Sequence, residues 1–78
     1  LQRLKSAPAP ELSERELAIL ALVAEGQDNR TIAAQLGIAE KTVGNRMSEI
    51  FAKLGASIRT QAALIAIQRG LVPAPREL

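Results

Sequence analysis

Apolar residues between positions 12 and 72 recur every third or fourth place and nowhere alternate with period two. The chain therefore reads as helical from end to end of that span. In "LSERELAILALVAEG" (12–26), Leu12, Ile19, Leu20 and Val23 share one side, with Glu16 among them. Ser13 and Glu16 have the spacing of a capping box, in which the serine oxygen takes an orphan N–H and the glutamate reaches back. Gly26 offers a left-handed stop, so a first helix is expected over 14–25.

"DNRTIAAQLG" predicts a short second helix, capped by Asp28 or Asn29, with Ile32, Ala33 and Leu36 facing inward and Gly37 ending it. After a tight connection, a third helix is expected from Glu40 to Leu54, stopped by Gly55. On a wheel, Val43, Met47, Ile50, Phe51 and Leu54 cluster within about 100° and should be buried. Opposite them fall Lys41, Asn45, Ser48, Glu49 and Ala52, with Thr42, Arg46 and Lys53 on one flank. A fourth helix is expected from Thr60 to Arg69, with Ser57 or Arg59 near its start and Gly70 at its end. The fold class is all-α, a four-helix bundle.

The ends differ in composition. The Ala-Pro-Ala-Pro run within 1–11 favours extended backbone and reads as a linker leading in from another domain. Residues 73–78 hold a second pair of prolines and read as a tail, which leaves 12–72 as the domain.

Composition removes whole classes of chemistry. The chain has no cysteine and no histidine, so thiol chemistry, zinc fingers and Ser-His or Cys-His catalysis are excluded. No phosphate-cradling glycine loop and no paired-carboxylate spacing is present, so no enzymatic activity, no cofactor and no metal are expected. No apolar run reaches the roughly 20 residues of a membrane span, and the start lacks a signal-peptide layout, so a cytoplasmic protein with no membrane partner is expected. With one Phe and neither Trp nor Tyr, the core must be aliphatic and thin.

The net charge of +2 conceals an asymmetry: residues 11–25 balance at −3 and residues 28–71 at +3. A basic second half suits a polyanion. The layout of helix 2, a short glycine-containing turn and helix 3 is that of a helix-turn-helix, whose second helix enters the DNA major groove. The outer face of helix 3 fits that use, because short amides and hydroxyls read base edges while cations grip the strands. A merely solvated face would carry more Glu-Lys pairs than this one does.

Residues 12–72 resemble the LuxR/FixJ/NarL family of DNA-binding domains. The resemblance is carried by Leu12, Arg15, Glu16, Ala24-Glu25-Gly26, Asn29, "IAAQLGI", "KTV", "IFAKLG" and "RTQAA". It implies a four-helix domain that binds double-stranded promoter DNA, usually as a dimer, at the C-terminus of a response regulator or ligand-sensing regulator. A receiver or ligand-sensing domain and RNA polymerase are then further expected partners. The resemblance puts Asn29 and Arg30 on phosphate, Lys41, Thr42 and Arg46 on the strand backbone, and Gly44, Asn45 and Ser48 toward bases. Lys53 would add a phosphate contact. Helix 4 would form the dimer surface through Ala63, Leu64, Ile65 and Ile67, and Glu16 would be a buried acid tying helix 1 to the recognition unit.

Three positions depart from the family pattern. Ala39 stands where Ser or Thr commonly caps helix 3, Arg46 stands where histidine is frequent, and Gly44 stands where many members carry a long side chain. The alternative reading is a helical protein-interaction module that docks through the apolar side of helix 4, where the pattern makes Leu64 and Ile65 surplus to the domain's own core.

Overall fold

The computed structural model describes residues 12–74. The expected linker at 1–11 and residues 75–78 of the expected tail lie outside the described residues. Four helices follow in order, α1 (Glu14–Ala24), α2 (Asn29–Leu36), α3 (Glu40–Leu54) and α4 (Arg59–Gln68), and the described residues contain no strand.

The N-termini form as the sequence chemistry dictates where it supplies a cap. Ser13 Oγ accepts the Glu16 N–H at 3.1 Å and Glu16 Oε1 accepts the Ser13 N–H at 2.9 Å, which completes the capping box of α1. For α2 the cap is Asp28, whose Oδ1 accepts the Thr31 N–H at 2.8 Å. Neither Ala39 before α3 nor Ile58 before α4 supplies a side-chain cap. At α4 the Gln61 side chain reaches back instead, its Oε1 accepting the Ser57 N–H at 2.7 Å. The helix begins at Arg59, one residue before the expected Thr60.

The core unites all four helices. Ile19, Leu20 and Val23 come from α1, Ile32 and Ala33 from α2, Val43, Met47, Ile50 and Leu54 from α3, and Ala62 and Ala66 from α4, with Val72 closing the end. These are aliphatic or small side chains throughout, so shape complementarity rather than aromatic bulk fills the interior. The helices pack chiefly as two pairs, α1 on α4 and α2 on α3. Alanines at 62 and 66 let α4 approach α1 closely.

Two expectations about the core change. Phe51 is only half-buried and covers the edge of the core. On α4 the buried line runs through Ala62 and Ala66, which leaves Ala63 and Ile67 on one shoulder and Ile65 on the other. Ile65 therefore packs against the core and is not surplus to it, whereas Leu64 is 54% exposed as expected.

Candidate nucleic-acid interface

The turn between α2 and α3 fixes how α3 is presented. Gly37 adopts φ 70° and ψ 34°, a left-handed conformation that costs a side-chain-bearing residue steric strain. The Ile38 N–H then returns to the Ala33 carbonyl at 3.1 Å, closing α2. Three residues, Gly37 to Ala39, suffice to reach the start of α3. The buried side of α3 seats on α2, and its other side is left to solvent.

On that side Lys41, Asn45, Arg46, Ser48, Glu49 and Ala52 are exposed, and Thr42 and Gly44 are half-exposed. The structure thus brings Lys41, Thr42, Gly44, Asn45, Arg46 and Ser48 onto one accessible surface. Ser48 Oγ donates to the Gly44 carbonyl at 3.4 Å, a long bond that a base-edge acceptor could replace. A Cβ built on Gly44 meets nothing within 4 Å, so no internal contact requires the glycine. Arg30 is exposed at the start of α2, beside the half-buried Asn29.

Lys53 stands apart from that surface. Its ammonium lies 2.8 Å from Glu16 Oε1, with the lysine side chain 30% and the glutamate 2% exposed. Hydrogen bonding from Lys53, followed by the Ser13 N–H, holds the Glu16 carboxyl below its ordinary pKa against the opposing effect of burial. Glu16 therefore ties α1 to α3, the role the resemblance implied. The expected phosphate contact from Lys53 starts from a side chain already engaged in that tie.

Sequence reasoning missed Arg59. Its Nη1 donates to Asn29 Oδ1 and its Nη2 to the Gln27 carbonyl, both at 2.7 Å. This joins the start of α4 to the start of α2. The signal available in the sequence is a cation in the first turn of a helix, where the helix dipole disfavours it. A residue so placed needs acceptors elsewhere. Asp28 is exposed, and its carboxyl pKa is lowered chiefly by the Thr31 N–H. Among the described residues no group of acidic or thiol side chains is arranged to hold a metal ion.

The model of bacterial regulatory proteins of the luxR family, GerE, matches residues 10–66. The chain belongs to the LuxR family of bacterial regulatory proteins. It is 42% identical over 62 residues to the transcriptional regulatory protein YdfI of Bacillus subtilis, a match covering 80% of this chain and 29% of the relative. It is 44% identical over 64 residues to the DNA-binding transcriptional activator DevR/DosR of Mycobacterium tuberculosis, covering 82% and 30%. The solved structure of the transcription factor GerE superposes with a TM-score of 0.73 at 39% identity, covering 78% of this chain and 91% of that one.

The LuxR-type chain is a helix-turn-helix DNA-binding domain of transcription regulators. It spans about 30% of the length of the curated relatives it matches. Among its described residues no single helix is long and apolar enough to cross a membrane.

Proposed function

We propose that this LuxR-family domain binds promoter DNA with α3 in the major groove, Asn45 and Ser48 facing base edges beside the bare backbone of Gly44. Lys41, Thr42 and Arg46 grip the flanking strands, and Asn29 and Arg30 hold phosphate from the start of α2. The observation that carries this reading is the accessible face of α3, where short polar side chains are bordered by two exposed cations. The domain acts without enzymatic activity. It works in the cytoplasm, behind a receiver or ligand-sensing domain, and pairs with a second copy through α4 when on DNA. Contact with RNA polymerase falls to surfaces away from α3.

Salt dependence tests this. Arg30, Lys41 and Arg46 in each of two subunits neutralise about six phosphates, which gives log K against log salt a slope of about −5. A gel-shift series measuring a slope shallower than about −2 sinks the footprint. The same series separates DNA binding from a protein-docking role for the exposed Leu64, because purely apolar association responds little to added salt.

A further inference from the structure

Arg59 offers one arm of its guanidinium to Asn29 Oδ1 at the start of α2 and the other to the Gln27 carbonyl in the turn before it, each at 2.7 Å. A guanidinium carries only donors, so the atom of the Asn29 amide that faces it has to be the oxygen. The amide is planar, and fixing its oxygen toward Arg59 turns its NH₂ away. That nitrogen has no partner among the described residues. Asn29 is the first residue of α2, directly beside the exposed Arg30. Unrestrained, an asparagine at a helix start can present either end of its amide. Here the end turned away from Arg59 is the donor.

We infer that Arg59 is a positioning residue for DNA: without touching the nucleic acid, it locks Asn29 as a hydrogen-bond donor aimed at a phosphate oxygen. The inference rests on the DNA-binding reading and extends it to a residue on a different helix. Its physical content is preorganisation. The Asn29 side chain enters the complex in one rotamer and one amide orientation, so binding freezes less of its freedom. Anchoring the second arm on the Gln27 carbonyl makes the guanidinium itself rigid, because a fork held at both tips cannot swing. The placement also explains why a cation is kept at the uncapped start of α4, where the helix dipole opposes it.

The test is a set of variants of the 78-residue chain, read by fluorescence anisotropy on a duplex the unaltered chain binds, with thermal unfolding in parallel. Arg59→Lys keeps the charge but replaces the fork by a point donor. It should weaken binding about three- to tenfold with the salt slope unchanged. Asn29→Ala should cost a similar factor, and the double variant should be no worse than either single one. Asn29→Asp still accepts from Arg59 and suits a helix start, so its melting temperature should hold or rise. Its binding should nevertheless fall about tenfold or more, because a carboxylate then faces the phosphate. Losses that add in the double variant would overturn the inference, as would unaltered binding by Asn29→Asp. An unaltered chain that binds no duplex even at low salt overturns the DNA reading and this inference with it; binding with additive losses overturns this inference alone.

Discussion

Glu16 and Lys53 are 37 positions apart in sequence and 2.8 Å apart in space, and their ion pair fastens α1 to the last turn of α3. The glutamate is also half of the α1 capping box, so one carboxylate serves a helix start and a helix–helix contact together. Its pKa is lowered in the folded state. The stability it contributes is thus fully present above the unfolded pKa and is lost as pH falls through the folded one. Melting temperature should decline as the solution is acidified through the carboxylate range. Glu16→Gln should cost about 2–3 kcal/mol at neutral pH and flatten that decline. Urea unfolding at neutral and acidic pH provides the measurement. A variant with the same pH slope as the unaltered chain would assign the acid sensitivity to other carboxylates.

Helix α3 is locally under-stabilised, which makes it easy to improve. Ala39 occupies the N-cap with extended backbone (φ −73°, ψ 147°) and makes no side-chain cap bond. That conformation is one serine adopts freely, so Ala39→Ser should add about 1 kcal/mol. Gly44 sits inside α3 with open space where a Cβ would go. Gly44→Ala should add about 1 kcal/mol more, because alanine fixes less backbone entropy in a helix. Each such gain corresponds to a rise in Tm of about 4–8 °C for a domain of this size. A drop in Tm for Gly44→Ala would reveal an internal constraint on the glycine. Higher stability with weaker DNA binding would assign the glycine to the nucleic acid.

What the sequence made legible follows the range of each interaction. The capping box of Ser13 and Glu16, the Asp28 cap and the buried face of α3 apart from Phe51 are settled within a few residues, where period and spacing speak directly. The exposed face of α3 is legible for the same reason, since it is what the buried face leaves over. Glu16 lies 37 residues from Lys53, and Asn29 and Gln27 lie 30 and 32 residues from Arg59, and no local spacing records which acceptor a cation will meet. Ile65 was misplaced by a subtler cause. On a short helix rich in alanine and isoleucine the buried line can be drawn in more than one direction, and packing against α1 chose Ala62 and Ala66.

Asn45 and Arg46 are adjacent and both exposed, yet they should fail differently when removed. An asparagine amide can pair with both hydrogen-bonding positions of adenine in the major groove. Asn45→Ala should cost about 1–3 kcal/mol on a preferred site and little on random duplex. Arg46 lies on the flank of that face, and on the proposed footprint its guanidinium grips phosphate, so Arg46→Ala should weaken both duplexes by a similar factor and make the salt slope shallower. Competition binding with the two DNAs distinguishes them. Equal losses for both variants on both duplexes would strip Asn45 of any role in reading sequence.

Leu64 is the apolar residue of α4 that the core does not use: it is 54% exposed, while Ala63, Ile65 and Ile67 are partly covered by the domain itself. An α4–α4 contact between two copies would bury Leu64 against its symmetry mate, with Ala63 and Ile67 at one margin and Ile65 at the other. One helix face of this length covers a few hundred Å² per subunit, below the roughly 800 Å² per partner of a stable complex. The free chain should therefore be largely monomeric at micromolar concentration. DNA with two half-sites should hold two copies together and raise their effective concentration into about the millimolar range, enough to restore the contact. Leu64→Glu changes an exposed position, so folding and binding to a single half-site should be unaffected, while two facing carboxylates should abolish cooperative occupation of paired sites. Sedimentation of the free chain and titration of one-site and two-site duplexes measure both effects. Cooperativity that survives Leu64→Glu would move the contact between copies to another face.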